Sequence, residues 1–265
     1  MFKQLSLLEP NLEDPGRCFY ENIQTSGFDY REVDIGDITF KPGQLESVHR
    51  WYRLTPSYSP SLVRFFIAEL QITQEHFVLD PFSGRGTTSI ECQKYGIKSL
   101  GIEINPLLQQ VGNKSLKWQT KNLDLVQKYL AEITNSIEKY QNYSVAEIVN
   151  LFNTRIPIIH NVFRWWKHSV LKDLIVCREI MLKQEYSSIA DYLWLALNKA
   201  SLDCANIHRN HPTITFDDNH QREINVLYEV GKNLKIIRDD LANLNQREIS
   251  FSELNYVNLG NSTNA

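Results

Sequence analysis

The sequence predicts an α/β fold: an incomplete Rossmann-like parallel sheet carrying a large helical insert. Three observations predict it. A strand, glycine turn, helix and second strand run in order from Phe77 to Glu103. Two long apolar periodicities of helical type lie between Leu123 and Leu244. A third strand pattern, Phe251 to Leu259, follows them. Strands alternating with helices are the signature of a parallel sheet.

Each element has its own reason. Phe77 to Leu79 is a short apolar run that suits a buried parallel strand, and Asp80 ends it. Gly84 and Gly86 let the chain turn tightly and approach a ligand, since neither carries a Cβ. On that reading a valine at position 86 would stand where the ligand lies. Thr87 to Tyr95 is helical and stops at Gly96, a natural residue beyond a helix end. Lys98 to Ile102 is the second strand, with Glu103 at its end. An acid about 20 residues beyond a glycine turn is placed to accept hydrogen bonds from a ribose. Upstream, Ser59 caps a helix that Pro60 opens, and Phe65 and Phe66 are expected to face inward.

The ligand class follows from what the turn lacks. A pyrophosphate site favours a lysine at the turn or a third glycine, and neither is present. An acid at the strand end is wrong for phosphate and right for an ammonium group. A nucleoside with an amino-acid tail and no phosphate is S-adenosylmethionine. At these residues the sequence resembles a known family. Asp80-Pro-Phe-Ser-Gly-Arg-Gly-Thr-Thr88 is similar to the first motif of the DNA methyltransferases that modify exocyclic amines of adenine or cytosine. Gly101-Ile-Glu-Ile-Asn-Pro106 is similar to their second motif, and Ser59-Pro60 with the helix after it to the motif that precedes both. Gly260-Asn261-Ser262 resembles the third.

The resemblance implies a cofactor site at Asp80, Pro81, Phe82, Ser83, Gly84, Gly86, Thr87 and Thr88, with Glu103, Ile104 and Asn105 beside the ribose, Ser59 near the methionine part and Asn261 near the adenine. It implies double-stranded DNA as substrate. The family's catalytic Asn/Asp/Ser-Pro-Pro-Tyr/Phe tetrapeptide is absent; Thr55-Pro-Ser-Tyr58 is the nearest match, so no catalytic residue is assigned. The chain therefore reads as a cofactor-binding part, split or truncated before its catalytic motif, with a C-terminal half or second subunit as partner. Alternatives are an RNA guanine methyltransferase, whose first motif is similar, and a non-catalytic nucleoside-binding or DNA-binding subunit.

The domain reading is an irregular segment over residues 1–45, a partial methyltransferase core over 46–114 and 248–265, and a helical insert over 115–247. Leu123, Val126, Leu130, Ile133, Ile137 and Tyr140 recur at steps of three and four, as do Leu227, Val230, Leu234, Ile237, Leu241 and Leu244. Such helices pack on each other or on a shared core. Within the insert, Arg164-Trp165-Trp166-Lys167-His168 mixes stacking rings with cations, and Asn206 to His220 is a polar loop holding His208 and Arg209. Arg164, Lys167, His208 and Arg209 are the candidate DNA contacts. Three histidines in that loop fit no metal template, and no metal is expected.

Composition excludes other classes. A formal charge of −3 gives no global basic field, so cations for DNA must be concentrated locally. Cys18, Cys92, Cys177 and Cys204 form no Cys-x-x-Cys pair and suit reduced buried thiols. Neither a signal peptide nor a membrane-length apolar run is seen, and a cytoplasmic location is expected.

Overall fold

The computed structural model describes residues 42–53, 57–118, 125–183, 189–208, 215–217, 223–245 and 255–262. All of them lie in Thr39–Ala265, the second of two compact units. The expectations for residues 1–41, Thr55, Leu123, Arg209 and Phe251 fall outside the described residues.

The chain enters through 3₁₀ turns at Pro42–Leu45 and His49–Trp51, then helix α1 (Pro60–Glu69). Strand β1 (Phe77–Asp80), α2 (Thr87–Lys94), β2 (Lys98–Glu103) and α3 (Pro106–Ser115) follow. Helices α4 (Leu125–Lys139), α5 (Val145–Leu151), α6 (Val162–Trp165), α7 (His168–Leu182), α8 (Ala190–Asp203) and α9 (Val226–Asn245) come next, then β3 (Tyr256–Leu259). The sheet is parallel, in the order β1-β2-β3, with Leu79 opposite Leu100 and Gly101 opposite Val257. This is the mixed α/β architecture of an incomplete Rossmann-like fold.

Side-chain size sets how closely the layers approach. A Cβ on Gly101 would meet Ser83 at 2.7 Å, and one on Gly112 would meet Val257 at 2.8 Å. Those two glycines let the turn after β1 and helix α3 lie directly on the sheet. A single apolar cluster runs from Val48, Trp51, Ile90 and Val111 to the helices, where Val126, Ile133, Val230, Leu234, Ile237 and Leu241 are buried. The two periodic helices therefore share a core, and that core is continuous with the βα unit.

The expectation of a buried first strand is corrected. Phe77 and Leu79 are 59% and 55% exposed. Among the described residues β1 pairs only with β2, which leaves its other side without a strand. The sheet's other edge is protected. Asn113 of α3 accepts from the Val257 N–H at 2.7 Å and donates to the Val257 carbonyl at 2.8 Å. Gln109 donates to the same carbonyl at 3.1 Å.

A second correction concerns α1. Pro60, Val63 and Ile67 are its buried residues, while Phe66 is 49% exposed. Leu62, Phe66 and Leu70, four residues apart on one face, instead wall an apolar groove of about 290 Å³ with Tyr58, Ile72, Val78 and Cys92. Inward packing of Phe66 would need a neighbour beyond β1.

Candidate cofactor site and candidate nucleic-acid face

The carboxyl ends of the three strands carry Asp80, Glu103 and, just beyond β3, Asn261. In open α/β sheets this is the end where ligands bind. The turn after Asp80 is fixed by its backbone: Ser83 N–H donates to the Ile102 carbonyl at 3.0 Å and Gly86 N–H to the Ser83 carbonyl at 2.8 Å. Gly84 and Gly86 have φ of 54° and 87°, the left-handed region that glycine adopts without strain. Gly260 N–H donates to the Glu103 carbonyl at 3.0 Å, which brings the third motif beside the second.

Asp80 is held from two sides. Its Oδ1 accepts from the Phe82 N–H at 3.1 Å and its Oδ2 from the Tyr58 hydroxyl at 2.8 Å. Tyr58 also meets Thr88 Oγ1 at 2.6 Å. Burial, with Asp80 beside it, pushes the Tyr58 phenol well above its usual range, so it stays a neutral donor. Glu103 Oε1 accepts from the Asn105 N–H at 2.7 Å, and Asn105 in turn caps α3 by accepting from Leu107 and Leu108.

The remaining predicted residues divide by orientation. Pro81, Phe82, Ile104, Asn105 and Asn261 are exposed at this end, Phe82 to 77%. Thr88 is half-buried against Tyr58. Ser83 and Thr87 are buried, and among the described residues their hydroxyl oxygens have no hydrogen-bond partner. Ser59 is buried and caps α1 through the Ser61 N–H at 3.3 Å. At Gly86 a Cβ would meet Gly112 Cα, 3.3 Å away, and Val257, 3.5 Å away, so the position also needs room for α3 and β3.

Sequence reasoning passed over Arg85. It is 1% exposed, and its Nη1 donates to the His49 and Tyr52 carbonyls at 2.5 and 2.6 Å. Burial lowers its guanidinium to about 9. The one cation of the glycine turn thus faces the protein and ties the turn to residues 49–52. That segment is gripped again from α9, where Asp240 accepts from Val48 N–H at 3.1 Å and from Trp51 Nε1 at 2.8 Å and pairs with Arg50. His49 Nε2 lies 2.6 Å from Glu91 Oε1, both fully buried. A residue between two glycines carries no sequence signal of which way it points.

The second candidate surface lies among the helices. Arg164 stacks over Phe216 at 4.3 Å, and Trp165 meets the same ring edge-on at 5.0 Å. Asn206 N–H donates to the Trp165 carbonyl at 2.8 Å. Lys167 precedes α7, and His208 N–H donates to the Thr215 carbonyl. Arg164 and His208 therefore lie in one neighbourhood around Phe216 and Asn206, with Lys167 three residues on from Arg164 in the chain. Trp166 is packed against the core and donates to the Ser201 carbonyl.

Residues 37–114 match the model of a DNA methylase family of the N6/N4 type. Over that segment the chain is similar to the N6/N4 DNA methylases. Similar proteins agree. A Type II methyltransferase of Geobacillus stearothermophilus, M.BsoBI, is 30% identical over 115 residues, which is 42% of this chain and 23% of that protein. M.MjaII of Methanocaldococcus jannaschii is 27% identical over 109 residues, 39% of this chain and 19% of that protein. M.MvaI of Kocuria varians is 22% identical over 210 residues, 75% of this chain and 44% of that protein. The chain thus spans about a quarter or less of the first two relatives. No solved structure matches. The matched segment contains Asp80, the glycine turn and Glu103, and a DNA methylase match does not favour the RNA reading. Among the described residues no helix is long and apolar enough to cross a membrane.

Proposed function

We propose that this chain binds S-adenosylmethionine and forms the cofactor-holding part of a DNA methyltransferase acting on an exocyclic amine of cytosine or adenine. One observation carries the reading: the strand ends offer two carboxylates, while the only cation of the glycine turn, Arg85, is buried and faces away. That set of acceptors suits an ammonium and ribose hydroxyls and is wrong for phosphate. Asp80, already oriented by Tyr58 and Phe82 N–H, would take the ammonium. Glu103 would take the ribose, with Phe82 and Ile104 as apolar walls and Asn261 near the base. The bound cofactor supplies an electrophilic methyl on sulfur. Transfer to an amine also needs the nitrogen held in line with that methyl, which is an orientation requirement worth several kcal/mol.

Among the described residues of the site none is assigned to orient the amine. The edge of β1 supports a place where such residues would attach. Parallel strands are normally covered on both sides, yet Phe77 and Leu79 are exposed and an apolar groove lies alongside. A segment bearing the catalytic tetrapeptide, either on the same polypeptide or on a second subunit, would pair there. The helices from α4 to α9 would face DNA through Arg164, Lys167, His208 and Arg209.

The test combines calorimetry with S-adenosylmethionine and a transfer assay on mixed-sequence duplex DNA. The chain is expected to bind cofactor, and Glu103→Ala to lose about 1–3 kcal/mol of binding, the cost of a charge-assisted hydrogen bond. Methyl transfer is expected only when a catalytic segment is supplied in trans. Unchanged affinity in a folded Glu103→Ala protein would refute the ribose assignment. Robust transfer by the chain alone would refute the need for a partner.

A further inference from the structure

We propose that residues 155–164 form an apolar wedge that inserts into duplex DNA. The proposal rests on the DNA methyltransferase reading, but on different residues from those that hold the cofactor. Ile158 is 87% exposed, more than any other large hydrophobic residue described, and its neighbour Ile159 is 41% exposed. Phe163 is 40% exposed and lies flat against His168, 4.0 Å between centroids and 11° between planes.

The tip is presented on fixed supports. At one end Arg178 of α7 donates to Thr154 Oγ1 at 2.6 Å and to the Arg155 carbonyl at 3.1 Å. At the other, Val162 is buried and Asn206 Nδ2 donates to the Arg164 carbonyl at 3.2 Å. Between them Ile159 N–H donates to the Pro157 carbonyl at 3.0 Å, a tight turn that pushes Ile158 outward. Asn161, with φ 51° and ψ 56°, then redirects the chain into α6.

Charge selects the occupant. No Asp or Glu stands between Glu147 and Asp173, although the whole chain has 31 acids against 28 bases. Arg155, His160, Arg164 and His168 are exposed in this stretch, with Lys167 half-buried beside them. Lys172 is buried and serves the Tyr140 and Gln141 carbonyls. An exposed pair of isoleucines on a stretch that carries Arg155, Arg164 and Lys167 and no acid in its sequence, with the neighbouring Glu179 engaged by Thr154 and Arg178, complements a polyanion with an apolar interior. Duplex DNA is that partner: phosphates meet the cations, and an apolar side chain enters a base step, unstacking and kinking it. A protein surface would offer cations as well as acids and gives no reason for the acid-free run.

The experiment uses the full chain and a 2-aminopurine-labelled, mixed-sequence duplex at low salt. Anisotropy reads binding, and 2-aminopurine emission reads unstacking. The expected result is binding with a rise in emission. The double variant Ile158→Ser, Ile159→Ser should bind about tenfold more weakly and lose the rise, with unchanged salt dependence. Arg155→Ala should keep the rise and lower the salt slope by about one. Circular dichroism and melting temperature confirm that the variants are folded; a misfolded double variant is replaced by Ile158→Ser alone. Equal binding and equal emission from the folded serine variant would overturn the wedge. So would a chain that binds S-adenosylmethionine but no DNA, which leaves the cofactor reading standing. A chain that binds neither ends both. A serine variant that binds DNA normally but loses self-association in light scattering would assign the tip to a second copy and overturn the DNA proposal.

Discussion

At the scale of the residue, the buried pair His49–Glu91 sets a pH dependence. Burial lowers the His49 imidazole from 6.5 to about 4, against the pull of its hydrogen bond to Glu91. Burial alone would raise the Glu91 carboxyl, but the His49 hydrogen bond and Lys94 outweigh it and hold it at about 2 rather than 4.5. Both groups therefore bind a proton more readily in the unfolded chain. Stability is fully present above pH 6.5 and declines as pH falls toward 4 through His49; Glu91 adds a further loss from 4.5 toward 2. Melting temperature should hold above pH 7 and fall between pH 6.5 and 4. In His49→Gln, whose amide keeps a donor but does not titrate, the upper part of that fall should flatten. An unchanged profile would show that His49 is not the titrating group. The same segment carries the two carbonyls that Arg85 ties to the glycine turn, so acid melting here should disturb the cofactor end as well.

At the scale of the element, Asn113 is the residue that lets β3 be an edge. It satisfies both the N–H and the carbonyl of Val257 from a neighbouring helix. Replacing it by Ala removes both bonds and should cost about 1–3 kcal/mol by urea unfolding; a change within experimental error would show that Gln109 or water suffices. Nothing in the sequence announced this, because an Asn inside a helix reads as a weak helix former until the strand beside it is known. Other elements were legible for physical reasons. Asp80, Gly84, Gly86 and Glu103 are constrained by short-range chemistry, so their spacing alone outlined strand, turn, helix and strand. The helical periodicity of Val230, Leu234, Ile237 and Leu241 likewise reports one buried face. What failed was anything that depended on a neighbour. Phe66 and Phe77 are apolar and were expected inside, but burial needs a covering layer as well as an apolar side chain. Arg85 was passed over for the same reason: its contacts are with residues 49–52, far away in sequence.

At the scale of the whole molecule, the two borders of the sheet are unlike each other, and that has a consequence for symmetry. A strand with an open side is a template for another strand. If both borders were open, the first strand of one copy would add to the third strand of the next, head to tail, and nothing would stop the series. Here Asn113 and Gln109 occupy one border. Among the described residues, edge-to-edge addition is then expected first strand to first strand, across a two-fold axis with the strands running in opposite directions. Such a pair presents two blocked borders and accepts no third member. Concentrated protein should therefore show monomers and dimers in light scattering and nothing larger. In the Asn113→Ala, Gln109→Ala double variant the mass should keep rising with concentration. Higher oligomers in the unmodified chain would mean that the block is incomplete. Two side chains of one helix thus separate a finite dimer from a fibre.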